Sequence, residues 1–193
     1  MQSEKAGIIA NEVFMLYELH GNDDYIGEPV SQLEHMLQAA LLAEEEGYDE
    51  EVILAALFHD IGHLVVAIQP LEKMDGVGIV DHERIGADFL TQKGFSHRLC
   101  RLVQSHVAAK RYLTFKYHDY YNKLSAASKQ TLVLQGGRMI EAESDLFELE
   151  PDHKLILRMR EWDDKAKQKS MALPPLHKYQ QMAVRHLMGQ GIS

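Results

Sequence analysis

The chain has one cysteine, Cys100, among its 193 residues. It can make no internal disulfide and no thiolate cluster, so any metal it binds must be held by nitrogen and oxygen. Long apolar runs are also missing. The strongest, residues 52–58 and 37–43, fall well short of the roughly 18 to 20 residues needed to cross a bilayer. The opening stretch "MQSEKAGIIANEVF" lacks the basic segment, long apolar segment and small-residue cleavage site of a secretory signal, which predicts a cytoplasmic protein with no membrane partner. Basic charge is in deficit: 20 Lys and Arg face 29 Asp and Glu, for a formal net charge of −9. That argues against a nucleic-acid groove built on many phosphate contacts and favours a small substrate. No alternating strand pattern, internal repeat or low-complexity tract is found. What is present is ordinary hydrophobic content, 46%, in a length suited to one domain spanning 1–193. Histidine is abundant at eleven, and it is the commonest metal ligand, so the question is which histidines converge.

The pattern reads as helix after helix, an all-α bundle. An apolar-periodic opening segment ends near Gly21, and "DDYIGEP" follows as a loop. Ser31 with Glu34 forms a capping-box pattern for a helix ending at Gly47. Asp49 caps the next helix, "EEVILAALFHD", which should stop near Gly62, where the chain turns away. Residues 63 to about 80 read as a long irregular connection bordering the site. Asp81 then caps "HERIGADFLTQK", Gly94 closes it, and Ser96 opens "HRLCRLVQSHVAAK". Further helices are expected at about 117–134, 140–149, 152–168 and 175–189.

The chemistry concentrates at "LAALFHDIGHLV", where an apolar run ends in His59, Asp60 and His63. Buried polar groups without partners cost several kcal/mol, so something must pair with them. Asp60 has two oxygens and is a natural bridge between two ions, whereas His59 can serve only one. His35, His82, His106 and Asp163 occur at helix positions that could converge on the pair. Each also has an ordinary explanation: a buried histidine bonded to a backbone carbonyl for His35, a helix-start surface residue for His82, a capping or packing role for His106, a solvated acidic face for Asp163.

In its ordered set of ligand types the sequence resembles the HD-domain superfamily of helical metal-binding enzymes, named for the adjacent pair found here as His59-Asp60. The resemblance implies one metal on His35, His59, Asp60 and Asp163, and a second on His82 and His106, with Asp60 bridging. "DYIGE" at 24–28, "QLEH" at 32–35, "HDIGH" at 59–63, "DHERIGADFL" at 81–90, "HVAAKRYL" at 106–113, "LSAAS" at 124–128, "QGG" at 135–137 and "WDDKAKQ" at 162–168 narrow it further. Together, over roughly 22–168, the core metal-binding region, they are similar to the 2-amino-1-hydroxyethylphosphonate oxygenases of the PhnZ type.

That resemblance implies a mixed-valent di-iron enzyme, Fe(II)/Fe(III), that uses O2 to cleave a carbon–phosphorus bond in organophosphonate catabolism. Nitrogen and oxygen ligands by themselves suit iron, manganese or zinc. A centre of +5 with two aspartates keeps +3 and would attract a phosphonate dianion despite the acidic chain. By the same resemblance His63 and Lys110 bind the phosphonate, Ser128 and Gln135 assist, and Tyr25 and Glu28 act as a gate, Tyr25 taking a position on iron in the resting enzyme. For Lys110 the ordinary alternative is an exposed helix-end lysine. The substrate's cationic nitrogen needs a partner, for which Glu28, Asp24, Tyr25 and Trp162 are candidates. Two hydroxyphosphonates are open, the primary amine that yields glycine and its 2-trimethylammonio analogue that yields glycine betaine. The alternatives are an HD-domain phosphohydrolase acting on a nucleotide or phosphomonoester, in which metal activates water, an inositol oxygenase type, and a non-catalytic helical module.

Overall fold

A computed structural model describes residues 2–25, 27–68 and 81–191. Among these residues eleven α-helices follow one another, and the extended pairing is a single bridge between Asp24 and Ser31. The all-α expectation is met.

Helix α1 (Gln2–His20) buries Ala6, Ala10, Val13, Phe14 and Tyr17 at helical spacing and packs against α11 (Leu176–Gly189). Helix α2 (Gln32–Glu45) starts at the expected capping box: Glu34 N donates to Ser31 Oγ at 3.2 Å, and Ser31 N donates to Glu34 Oε2 at 2.7 Å. Gly47 closes it at φ +78. Helix α3 (Glu50–Phe58) is capped by Asp49, whose Oδ1 accepts from Val52 N at 3.0 Å. Every residue from Val52 to Phe58 is buried, so α3 runs through the middle of the bundle, as a helix that is apolar all round must.

The segment after the His59-Asp60 pair departs from expectation. Gly62 does not turn the chain away. It lies in a short helix α4 (Ile61–Ala67), so the connection expected from residue 63 is helical to Ala67, and residues 69–80 of that expectation lie outside the described residues. The reason for glycine is close approach. A Cβ on Gly62 would lie 1.9 Å from the carbonyl oxygen of His82, and one on Gly86 would lie 3.1 Å from Gly62 N. Helix α4 thus meets α5 (His82–Gln92) backbone against backbone. Asp81 is not the expected side-chain cap of α5: it sits at φ 63 with no capping bond among the described residues, and its carboxylate accepts from Arg84 at 3.2 Å instead.

Helix α6 (His97–Lys116) opens at Ser96, whose Oγ accepts from Leu99 N at 3.2 Å. The single helix expected over 117–134 is two, α7 (His118–Lys123) and α8 (Ala126–Leu134). Ser125 breaks the run by capping α8, its Oγ accepting from Ser128 N at 3.1 Å. Helices α9 (Glu141–Glu148) and α10 (His153–Lys165) complete the order. Helix α2 packs on α3 and α10, α6 packs on α3, α5 and α10, and α4 packs on α5. Five helices therefore surround the carboxyl end of α3, where His59 and Asp60 emerge.

Candidate metal centre

Each helix in that ring contributes a polar side chain to one point. His35 comes from α2, His59 and Asp60 from the α3–α4 junction, His82 from the start of α5, His106 from α6 and Asp163 from α10, and all six are buried. The two carboxylate oxygens of Asp60 face opposite ways. Oδ2 lies 3.6 Å from His35 Nε2 and 3.5 Å from His59 Nε2, and Oδ1 lies 3.1 Å from His82 Nε2 and 3.3 Å from His106 Nε2. Asp163 Oδ1 stands 3.4 Å from His35 Nε2. The six expected residues are thus brought together as two half-sites that share Asp60. The surface explanations for His82 and Asp163 do not hold.

The far sides of the imidazoles fix their orientation. His35 Nδ1 lies 2.8 Å from Ala166 O, His59 Nδ1 2.8 Å from Ala56 O, and His106 Nδ1 2.8 Å from Val103 O. A carbonyl can only accept, so each Nδ1 carries the proton and each Nε2 turns a lone pair inward. Nε2 of His35 and His59 are 3.0 Å apart, and those of His82 and His106 3.1 Å. Two lone pairs facing each other at such a distance, as on His35 and His59, repel unless a positive charge lies between them. Between His35 and His59 a proton can meet this need: burial opposes charging His59, but the Asp60 carboxylate outweighs it and raises the imidazole to about 9. A metal ion meets it with more donors, and nitrogen and carboxylate oxygen in this arrangement fit a divalent or trivalent first-row ion. Grouping by ligand-atom distance gives His35, His59 and Asp163 as one candidate set and Asp60, His63 and His82 as another.

Burial likewise works against ionising Asp60 and Asp163. The imidazoles, His59 foremost, hold Asp60 well below the usual carboxylate range, and the Arg160 guanidinium does the same for Asp163. Arg160 donates to Asp163 Oδ2 at 2.5 Å, also reaches Asp164, and donates from Nε to Tyr120 Oη at 2.9 Å.

A cavity of about 90 Å³ opens beside the two half-sites. Asp60, His82, His106 and Asp163 form its floor, and all six residues expected to bind substrate or gate it, Tyr25, Glu28, His63, Lys110, Ser128 and Gln135, line it. Tyr25 stacks on His35, centroids 4.1 Å apart, and donates its hydroxyl to Asp60 Oδ2 at 2.9 Å. His63 stacks on His82 at 4.2 Å, and burial, with His82 beside it, drives its imidazole down to about 3. Lys110 is buried, so the exposed-lysine alternative does not hold. It donates to Thr131 Oγ1 at 3.0 Å, and burial, then Arg160, lower its ammonium to about 7.

Two candidate partners for a cationic nitrogen lie elsewhere. Trp162 is fully buried, donating Nε1 to Glu46 at 3.0 Å, and Asp24 is exposed; neither lines the cavity. Conversely, Gln32, Thr131 and Arg160 line it and were not anticipated. Arg160 left one usable trace, standing three residues before Asp163 on the same helix face.

Among the described residues no helix is long and apolar enough to cross a membrane. A sequence model of the HD domain matches residues 33–135. The chain is 44% identical over 177 residues to an uncharacterized protein, L432, of Acanthamoeba polyphaga mimivirus, covering 92% of this chain and 81% of the relative. It is 39% identical over 179 residues to a 1-hydroxy-2-(trimethylamino)ethylphosphonate dioxygenase (glycine-betaine-forming) of Leisingera caerulea, covering 93% and 90%. It is also 40% identical over 177 residues to a hydroxymethylphosphonate dioxygenase of Gimesia maris, covering 92% and 87%. A buried pair of histidine-rich half-sites hinged on one aspartate, in a helical ring matched by that domain over more than half its length, makes this chain a member of the HD domain family.

Proposed function

We propose that this chain is a single-domain di-iron oxygenase that cleaves the carbon–phosphorus bond of a small 1-hydroxyphosphonate with O2. The observation that carries the reading is Asp60, with one oxygen toward each pair of inward-facing imidazoles, at the floor of a cavity also lined by Lys110 and Arg160. The names of the two phosphonate dioxygenases among its relatives support the same chemistry.

His35, His59, Asp60 and Asp163 would hold one iron, and His82, His106 and Asp60 the other. An Fe(II)/Fe(III) pair held by these residues would supply the redox chemistry that O2 requires. The reaction balances with one O2: R–CH(OH)–PO3²⁻ and O2 give R–COO⁻, HPO4²⁻ and H⁺. The C–H and C–P bonds break, one oxygen atom enters the carboxylate, and the other enters phosphate.

The chain's own residues place the substrate. Lys110 and Arg160 offer cationic donors to phosphonate oxygens, and Ser128 and Gln135 offer neutral ones. His63, stacked on His82 and uncharged at neutral pH, can donate one N–H without competing for a proton. Tyr25, already bonded to Asp60, must give up that contact if substrate is to reach the same side, which makes it a gate.

The test is phosphate release from hydroxymethylphosphonate, 2-amino-1-hydroxyethylphosphonate and 1-hydroxy-2-(trimethylamino)ethylphosphonate by iron-loaded protein, with and without oxygen. Oxygen-dependent release from at least one is expected. Release that persists unchanged under nitrogen would point to hydrolysis and sink the oxygenase reading.

A further inference from the structure

The carboxylates around the cavity are already partnered. Asp60 faces imidazoles, and Asp163 is bound by Arg160. The remaining one on the wall, Glu28, receives the Lys167 ammonium at 2.8 Å, the two side chains being 9% and 15% exposed. Lys167 is held in place on both sides. Ala166 O accepts from His35 Nδ1 at 2.8 Å, Gln168 N donates to Gln38 Oε1 at 2.9 Å, and Gln38 Nε2 donates to Gln168 O at 3.0 Å. Gln38 is itself buried on α2. The strap of residues 166–168 that follows α10 therefore orients an imidazole of the centre and, one residue later, delivers a cation to the cavity wall.

A substrate carrying a cation needs an anion to meet it. Here it must either displace Lys167 from Glu28 or lie beside a like charge, and both carry an energetic cost. A quaternary ammonium has no N–H with which to recover that cost. A primary ammonium can recover part of it, because Gln32 Oε1, on the same wall, is buried and has no hydrogen-bond partner among the described residues. A substrate without a cation leaves the ion pair intact.

Resting on the oxygenase reading above, we propose that Lys167 is a specificity-determining residue. By neutralising Glu28 it directs this chain to 1-hydroxyphosphonates whose carbon bears no cation, the hydroxymethyl class, ahead of the primary amine and well ahead of the trimethylammonio compound.

The test is calorimetric binding of the three compounds to the metal-loaded full chain under nitrogen, where no turnover occurs, for the wild type, Lys167→Met and Lys167→Arg. The wild type should bind hydroxymethylphosphonate tightest and the trimethylammonio compound weakest. Lys167→Met should narrow the ratio of those two dissociation constants by roughly tenfold or more, the scale of one like-charge contact, while Lys167→Arg, which keeps the charge, should preserve it. A wild type that prefers the trimethylammonio compound, or a ratio unmoved in Lys167→Met, overturns the proposal. The expected binding order without oxygen-dependent phosphate release would uphold the role of Lys167 and sink only the oxygenase reading.

Discussion

The backbone contact between α4 and α5 makes Gly62→Ala the sharpest test of how the centre is built. The added Cβ would lie 1.9 Å from His82 O, 2.7 Å from His82 C and 3.0 Å from His82 Cα. All three are backbone atoms, so no side chain can rotate aside and the helices must separate by an ångström or more. Overpacking a tight interior typically costs about 1 to 3 kcal/mol, and a clash with main chain belongs at the upper end. In a chain of this length 3 kcal/mol lowers Tm by roughly 6 to 12 °C. The same displacement carries His82 away from Asp60 Oδ1, from which it stands at 3.1 Å, so the half-site with His106 should lose metal while the half-site with Asp163 keeps it. Thermal unfolding and metal analysis by mass spectrometry read the two effects. Gly7→Ala, where a Cβ meets nothing within 4 Å, is the control and should stabilise α1 by up to about 1 kcal/mol. If Gly62→Ala kept wild-type Tm and full metal content, the contact would not be what sets His82.

Asp60→Asn keeps the shape and removes the shared charge, and metal content should fall in both half-sites; a full complement would refute the bridging role. Ser31→Ala deletes the cap of α2 and should cost about 1 kcal/mol, seen as a Tm lower by roughly 2 to 4 °C. Lys110 supplies a pH signature. Its ammonium, lowered to about 7 by burial and Arg160 and supported by Asp163, Asp60 and Asp164, is charged below that pH and neutral above it. A dianionic substrate favours the charged form, so KM should rise as pH climbs from 7 to 9, whereas Lys110→Met should give a high, flat KM; an equal rise in the variant would exclude Lys110 as its source.

The features legible in sequence are those whose cause is local. Ser31 with Glu34, Asp49 and Ser96 bond within three residues of themselves, and Gly47 and Gly94 mark left-handed ends. The misreadings have one origin: a residue type with two uses. Gly62 was expected to be a turn, and it is a helix contact whose partner lies twenty residues on. Asp81 carries a capping residue's side chain but the wrong backbone angle, and Ser125 begins a helix inside what apolar spacing presents as one. The six centre residues were accessible through the ordered motif, because each takes its place from the helix it sits on. Lys167 was not, since its partner Glu28 is 139 residues away and the link exists only once α10 lies against α2.

The hydrogen bonds behind the imidazoles also divide the centre by how much of the chain each side needs. His59 and His106 are oriented by carbonyls three residues back on their own helices, so each is set as soon as its helix forms. His106 with His82 and Asp60 Oδ1 completes one half-site within the first 106 residues of the chain. His35 takes its orientation from Ala166, 131 residues later, and its half-site also needs Asp163. The centre is thus asymmetric along the chain: one half-site draws on residues up to 106, and the other also needs α10 docked against α2.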